Sequence, residues 1–168
     1  INGDNGARVA AEIETAGGRA LAVQTDVTQP DSVAAMVDAT LSAHGRLDVL
    51  INNAAVFVTL PRRPFEDIPL AEWRQVMDVN ITGCFICASA VIPEMRKAGW
   101  GRIINISSST VPQGIPYFLH YVTSKSALIG MSRAMAREVG GDGITVNAVL
   151  PGMIETEMEN AARSDKGR

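Results

Sequence analysis

Apolar and polar residues along this chain follow two alternating periods, one helical and one typical of strands. Residues 6–16 carry apolar side chains at helical spacing, and residues 20–25 form a short apolar run of the strand type. Thr28 and Asp31 form a T-x-x-D capping pattern that predicts a second helix, and Gly45 ends it. The chain therefore opens with a helix, a strand and a helix.

The alternation continues through the rest of the sequence. Residues 47–51 predict a strand that is apolar almost throughout, residues 70–97 a long helix, and residues 102–106 another strand. A helix over residues 120–139 and a strand over residues 144–150 follow. Because the strands are apolar throughout and separated by helices, the predicted fold class is α/β, a doubly wound, Rossmann-like parallel sheet flanked by helices.

Composition and charge narrow the class of protein. Apolar residues make up 46% of the 168 residues, which predicts one folded domain over residues 1–168. The net charge of −3 and the lack of a basic patch argue against a nucleic-acid partner. No apolar run approaches the roughly 20 residues of a membrane helix, so no membrane association is expected. The opening on Ile1 indicates a piece of a longer protein.

Cys84 and Cys87 form a C-x-x-C pattern that could indicate a redox or zinc site. There is no second cysteine pair in the sequence, and both residues fall inside a helix-like apolar run. We therefore interpret them as two buried structural thiols and predict no metal site. Without a disulfide framework, a cytoplasmic location is the expectation.

The densest chemistry lies between residues 101 and 125. A strand runs directly into three serines, and a loop broken by Pro and Gly leads to a helix with Tyr121 and Lys125 one turn apart. An ammonium beside a phenol lowers the pKa of the phenol, and a hydroxyl such as that of Ser108 can hydrogen-bond a reacting oxygen. This pattern predicts proton transfer at an alcohol or carbonyl.

Each predicted strand ends in a polar or turn-forming segment. These segments are Asp26-Val27 and residues 52–55, 107–109 and 151–156. In a doubly wound sheet, ligands bind beyond the carboxyl ends of the strands, so the four segments predict one crevice. Taken alone, Asp26 could equally cap a helix, and Pro151-Gly152 could be a plain turn.

Together these motifs resemble the short-chain dehydrogenase/reductase family. Y-x-x-x-K is common in helices, but Ser108 stands thirteen residues before Tyr121, and the chain continues V-N-A-V-L-P-G-M-I-E-T, in the order and spacing of that family. The resemblance covers the whole chain. It implies an NAD(P)-dependent oxidoreductase that transfers hydride between the nicotinamide cofactor and a secondary alcohol or ketone.

The resemblance also implies catalytic roles for four residues. Tyr121 would exchange the proton on the substrate oxygen that Ser108 holds. Lys125 would bind the nicotinamide ribose and lower the pKa of Tyr121. Asn80, in M-D-V-N-I-T-G, would interrupt the long helix and link Lys125 to bulk water.

A second set of residues is implied to bind the cofactor. Asp26 and Val27 would hold the adenine, and Ala55 replaces the glycine usual in the N-N-A-G motif that lines the adenosine ribose. The acidic Asp4, close to the expected ribose-binding strand end, favours NAD over NADP. The implied cofactor-binding residues are Asp26, Val27, Asn53, Ala54, Ala55, Tyr121, Lys125, Pro151, Gly152, Ile154 and Thr156.

Two parts of the family pattern do not occur in this sequence. One is the first strand with its T-G-x-x-x-G-x-G turn, which receives the pyrophosphate, and the other is the last strand with the substrate-covering helices. The implied Rossmann-like domain is therefore partial and incomplete at both ends. We expect this piece to bind cofactor poorly when it is alone.

The sequence says less about the substrate than about the reaction. Residues 56–65 and 111–119 would form an apolar wall of the pocket. A 3-oxoacyl-carrier-protein reductase is an alternative, for which the adjacent Arg62 and Arg63 would offer a docking surface to an acidic carrier. An alternative of another class is a non-catalytic, cofactor-binding or structural relative.

The two long helices predict self-association. Residues 70–97 and 120–139 carry apolar side chains on more than one face, which exceeds what one sheet-facing stripe requires. Pairing of identical helices about a two-fold axis would bury the excess. A homo-oligomer is therefore expected.

Overall fold

Helices and strands alternate through residues 3–154, the part of the chain that the computed structural model describes. The helices are α1 Gly3–Thr15, α2 Pro30–His44, α3 Leu70–Met77, α4 Gly83–Ala98, α5 Thr110–Gln113 and α6 Leu119–Val139. The strands are β1 Val49–Asn52, β2 Gly101–Ile106 and β3 Ile144–Val149. A π-helical turn, Asp78–Thr82, joins α3 to α4, and 3₁₀ turns span Phe65–Asp67 and Gly140–Asp142.

The three strands form one parallel sheet in the order β1-β2-β3. Asn52 of β1 lies beside Asn105 of β2, and Ile103 lies beside Val146 of β3. Apolar side chains of α2, α4 and α6 pack with the strands in one core cluster around Val91 and Ile103. The predicted parallel α/β sheet flanked by helices is confirmed.

The strand predicted at residues 20–25 is wrong. This segment is neither helix nor strand, and Leu21 is exposed. A strand requires a neighbour with which to exchange backbone hydrogen bonds. Within residues 3–154 the sheet contains β1, β2 and β3 alone, so the segment has no place in a ladder.

The predicted start of the second helix is also wrong. The Thr28 N–H and hydroxyl both donate to Asp26 Oδ1, at 2.9 and 2.7 Å, so Thr28 belongs to a turn before the helix. Gln29 occupies the N-cap position, and α2 begins at Pro30, where proline's missing N–H costs nothing. The predicted end is confirmed, because Gly45 adopts φ 74° and donates to the Leu41 carbonyl.

The long helix runs from Leu70 to Ala98 and is interrupted at Asn80, as predicted. At the π-helical turn the Gly83 N–H donates to the Asp78 carbonyl five residues earlier. A Cβ on Gly83 would lie 2.7 Å from Val27 Cγ2, so this close approach requires glycine. By length and composition this helix could cross a membrane, whereas the sequence analysis expected no membrane helix. The face of α4 that carries Ala88, Val91 and Met95 lies in the core cluster.

The two cysteines of α4 are free and buried, which confirms the interpretation of the C-x-x-C pattern as buried thiols. Burial raises the pKa of Cys84 to about 11, although the charge of Lys125 acts in the opposite direction. The Cys84 thiol donates to the Asn80 carbonyl at 3.3 Å. A thiol with so high a pKa is a poor nucleophile at neutral pH.

Candidate active site

The end of β2 is joined to both neighbouring elements by short hydrogen bonds. The Ser107 N–H donates to the Val149 carbonyl at 2.7 Å, and the Ser107 hydroxyl donates to the Lys125 carbonyl at 2.7 Å. The Ser109 N–H donates to the Pro151 carbonyl at 3.0 Å. Ser108, between these two anchors, therefore has a defined position above the sheet.

Tyr121 and Lys125 lie one turn apart on α6 and face the same crevice. Lys125 is only 3% exposed, and its Nζ donates to the Ile106 carbonyl at 2.7 Å. The same Nζ lies 5.7 Å from the centre of the Tyr121 ring. The ammonium thus lies beneath the phenol, at the carboxyl end of β2.

An aromatic cluster fixes the Tyr121 ring. The ring centroids of Phe57 and Phe118 lie 4.7 and 5.0 Å from that of Tyr121, both at an interplanar angle of 37°. Phe57 and Phe118 also meet edge to face, at 5.9 Å. Offset aromatic packing of this kind restricts the ring while leaving its hydroxyl at the cavity.

Burial controls the protonation of both groups. It raises the pKa of Tyr121, an effect that the nearby Ser108 hydroxyl partly offsets. It lowers the pKa of Lys125. The predicted lowering of the Tyr121 pKa is therefore wrong for this structure, because desolvation outweighs an ammonium that is directed at the Ile106 carbonyl.

Asn80 is fully buried and holds the loop that follows β1. Its Oδ1 accepts from the Val56 N–H at 2.8 Å, and its Nδ2 donates to Ser124 Oγ at 3.0 Å and to the Val56 carbonyl at 3.3 Å. These bonds position the loop against α6. The predicted link from Asn80 through water to Lys125 stays a prediction.

A single cavity of about 540 Å³ brings most of the predicted site residues together. It lies beyond the carboxyl ends of β2 and β3, where a doubly wound sheet binds ligands. Of the predicted site, it is lined by Asn53, Ala55, Ser108, Tyr121, Lys125, Pro151, Gly152 and Ile154.

Four predicted site residues do not line this cavity, and a fifth is not described. Asp26 is exposed, and hydrogen bonds from the Thr28 hydroxyl and N–H lower its pKa, so its carboxylate forms the turn before α2. Val27 and Ala54 line a separate small crevice against Gly83. Asn80 does not line the main cavity. Thr156 lies outside the described residues.

The sequence analysis did not predict two groups of polar residues that the structure brings together. Asn105 accepts from Asn52 at 2.8 Å and donates to Ser132 at 2.9 Å, which ties β1, β2 and α6 together. Asn52 belongs to a motif that the sequence singled out, but no signal indicated its partner.

The second group lies behind the aromatic cluster. Glu72 lies 3.2 Å from the guanidinium of Arg63 and 3.2 Å from Nε2 of the buried His120. His120 also packs edge to face on Phe118 at 5.7 Å. The position of His120 directly before Tyr121 was the available signal.

The model of the short chain dehydrogenase family matches residues 1–167. The chain belongs to the short-chain dehydrogenase family. It is 42% identical over 152 residues to a 3-oxoacyl-[acyl-carrier-protein] reductase of Synechocystis, covering 89% of this chain and 60% of that protein. It is 40% identical over 162 residues to a 3-alpha-(or 20-beta)-hydroxysteroid dehydrogenase of Mycobacterium bovis, covering 96% and 60%.

Solved structures of the family support the same fold. An NAD⁺-bound xylitol dehydrogenase superposes with a TM-score of 0.86 at 31% identity, covering 90% of this chain and 58% of that one. The chain thus spans about 60% of the length of the relatives it matches.

The cavity fits the nicotinamide and ribose half of the family's cofactor. An ammonium has three N–H donors, and the Ile106 carbonyl takes one from Lys125, so ribose hydroxyls can take others. A Cβ on Gly152 would meet nothing within 4 Å, which leaves room for a flat ring beside the backbone. Residues 3–154 contain no T-G-x-x-x-G-x-G turn for the pyrophosphate.

Proposed function

We propose that the protein is an NAD(P)-dependent oxidoreductase that interconverts secondary alcohols and ketones. One observation carries this proposal: Ser108, Tyr121 and Lys125 line a single cavity at the carboxyl ends of parallel strands. Membership of the family supports it. The reaction belongs to the whole protein, of which this chain is one partial Rossmann-like domain.

Each residue of the trio has a defined task. The Tyr121 hydroxyl donates its proton to the carbonyl oxygen in reduction and accepts it from the alcohol in oxidation. Ser108 hydrogen-bonds that oxygen, and Lys125 holds the nicotinamide ribose. The cofactor, when bound, supplies or accepts the hydride at the substrate carbon. Asn80 acts by fixing Val56 and Ser124 around this centre.

The protonation of Tyr121 determines its role in each direction of the reaction. Because burial raises the pKa of Tyr121, its hydroxyl is protonated at neutral pH in the cofactor-free protein. A protonated phenol is ready to donate in carbonyl reduction, whereas alcohol oxidation requires the phenolate. The same hydroxyl therefore acts as the acid in reduction and, once deprotonated, as the base in oxidation.

A 3-oxoacyl-carrier-protein reductase is the second candidate. The identity of 42% to the Synechocystis reductase supports it. The basic docking pair at residues 62 and 63 supports it less, because the Arg63 guanidinium is paired with Glu72 at 3.2 Å. Arg62 alone would remain for an acidic carrier.

Cofactor choice follows from the sequence. NAD is favoured over NADP because the acidic Asp4, in the first turn of α1, is close in sequence to the expected ribose-binding strand end. Residues 151–154 and Thr156 would hold the nicotinamide. Asn53, Ala54 and Ala55 would line the adenosine ribose, and Asp26 and Val27 complete the proposed cofactor set.

Assembly and location complete the proposal. A homo-oligomer would form through the long helices, since Phe85 on α4 is 57% exposed. A cytoplasmic location fits free thiols at Cys84 and Cys87.

One assay tests the proposal. The full-length protein is mixed with NAD or NADP and a panel of secondary alcohols, or with the reduced cofactors and ketones or 3-oxoacyl thioesters, and the absorbance of the reduced cofactor is followed. Turnover of alcohols and ketones supports the oxidoreductase, and strong preference for carrier-bound thioesters supports the second candidate. Cofactor binding without any turnover would establish a non-catalytic relative instead.

A further inference from the structure

One wall of the cavity is apolar apart from two side chains. It is formed by residues 57–62, after β1, and residues 113–118, before α6, and its apolar members are Phe57, Val58, Ile115 and Phe118. Arg62 and Gln113 are the polar members of this wall. Arg62 is exposed at the edge of this wall, where its cation remains available to an anionic group that enters the cavity.

Charge around the cavity is of one sign. Among the described lining residues, Arg62 and Lys125 are the charged ones, and none is Asp or Glu. Lys125 already contacts the Ile106 carbonyl at 2.7 Å. Within residues 3–154 no carboxylate forms an ion pair with Arg62, since the ion pairs of this part of the chain all involve other side chains.

The contacts of the neighbouring Arg63 hold the loop in place, with Arg62 at the cavity wall. The Arg63 N–H donates to the Tyr117 carbonyl at 3.0 Å, and the Arg63 guanidinium pairs with Glu72. Tyr117 has φ 62°, a conformation that non-glycine residues rarely adopt, so this segment is tightly constrained. Arg63 thus fastens the loop, and Arg62 remains exposed among the residues that line the cavity.

We propose that Arg62 binds a carboxylate on the substrate. Resting on the proposed function, this assigns the preferred substrates to apolar secondary alcohols or ketones that carry a carboxylate remote from the reacting carbon. The apolar body would lie on Phe57, Ile115 and Phe118, with its oxygen at Ser108 and Tyr121. A planar guanidinium suits a carboxylate, because its N–H groups match both oxygens.

The same chemistry could come from a phosphate of the cofactor. The two sources predict different kinetics in an Arg62 variant. A substrate carboxylate makes the loss appear in the KM of acidic substrates, whereas a cofactor phosphate makes it appear in the KM of NAD or NADP for every substrate.

The experiment uses the full-length enzyme and three matched alcohols: 4-hydroxycyclohexanecarboxylate, its carboxamide and its methyl ester. The variants are Arg62→Met and Arg62→Lys, with Arg74→Met as the control, since the exposed Arg74 on α3 does not line the cavity. Wild type should show kcat/KM for the acid about fivefold above the amide and ester, the upper end for an ion pair with an exposed side chain.

The variants separate the outcomes further. Arg62→Met should remove the preference for the acid while leaving the amide, the ester and the KM of the cofactor unchanged. Arg62→Lys should restore part of the preference, and Arg74→Met should keep all of it. Equal kcat/KM for acid and amide in wild type overturns the proposal, as does an Arg62→Met effect that is equal for all three alcohols or confined to the cofactor.

A binding measurement distinguishes this proposal from the proposed function. If none of the alcohols or their ketones is turned over, the oxidoreductase assignment fails. Calorimetric titration with cyclohexanecarboxylate and its carboxamide then decides on Arg62. Selective binding of the acid that Arg62→Met abolishes supports the carboxylate site, and equal or absent binding of the two overturns it.

Discussion

The two sides of the sheet differ in how fully their side chains are buried and hydrogen-bonded. The side of β2, β3 and α6 is the engaged side, and the outer side of β1 is the open side. On the side of β2, β3 and α6, Asn105 links β1 to α6 through two short side-chain bonds, and Ile103 is fully buried. On the outer side of β1, Ile51 is 57% exposed. Elements β2, β3 and α6 on the first side hold Ser108, Tyr121 and Lys125, and Phe57 and Asn80 support them from the loop after β1 and the π-helical turn.

The side that positions the catalytic residues is therefore not the side on which apolar residues are exposed. Asn52, Asn105 and Ser132 are buried and hydrogen-bonded to one another, so they specify one arrangement, because any alternative leaves some of them unpaired. The engaged side therefore defines the positions of Ser108, Tyr121 and Lys125. The open side, with exposed apolar residues on α1 and β1, adds little to that definition.

The largest expected effect comes from Lys125→Met in the full-length enzyme. Turnover should fall at least about 100-fold, because the proton-transfer centre loses its cation. The free energy of unfolding should change by no more than about 1 kcal/mol, because removal of a buried charge offsets the lost bond to Ile106. Turnover near that of wild type would contradict the role given to Lys125.

The same variant has a signature in the pH dependence of stability. Since burial lowers the pKa of Lys125 in the folded state, the unfolded state binds more protons between that pKa and about 10.5. Wild-type stability should therefore rise with pH across this window, relative to Lys125→Met. Urea unfolding of both proteins from pH 7 to 10 measures the difference, and parallel curves would refute it.

Asn80→Ala should destabilise the engaged side next most strongly. It leaves the half-buried Val56 N–H without its acceptor and the buried Ser124 without a donor, at a cost of about 2–3 kcal/mol. The exposed Asn147 provides the matched control, and Asn147→Ala should change stability by less than about 0.5 kcal/mol. Equal losses in the two variants would mean that Asn80 does not hold the loop.

Gly83→Ala tests the close approach between the π-helical turn and Val27. The added methyl would lie 2.7 Å from Val27 Cγ2, so a loss of about 1–3 kcal/mol is expected. Val27→Ala in the same chain should recover part of it, which a double-mutant cycle measures. Additive effects would argue against a direct clash.

The smallest expected effect compares the two sides directly. Ile103→Val should cost about 0.5–1.5 kcal/mol because Ile103 is fully buried, whereas Ile51→Val should be close to neutral. Both are measured by urea unfolding of this 168-residue chain. A similar cost at both positions would show that the outer side of β1 is covered in solution.

Periodicity predicted the elements that bury an apolar face. The strand predicted at residues 102–106 is β2 Gly101–Ile106, and the helix predicted at residues 120–139 is α6 Leu119–Val139. Residues 20–25 have a similar local pattern, but a strand also needs a partner, which local sequence does not contain. The spacing of Ser108, Tyr121 and Lys125 likewise sufficed to place all three at one cavity.

What the sequence could not predict depends on contacts between distant residues. The direction of the pKa shift of Tyr121 depends on burial and on the hydrogen bond that Lys125 donates to the Ile106 carbonyl. The contacts among Arg63, Glu72 and His120 join three separate segments, and no periodic pattern connects them.

Tyr121→Phe in the full-length enzyme tests the central claim most directly. Phenylalanine keeps the ring between Phe57 and Phe118 and removes only the transferable proton. Turnover of secondary alcohols and ketones should fall by about 10²–10⁴-fold, while the thermal midpoint and the affinity for the cofactor change little. Wild-type turnover in Tyr121→Phe would contradict the assignment of Tyr121 as the proton donor and acceptor.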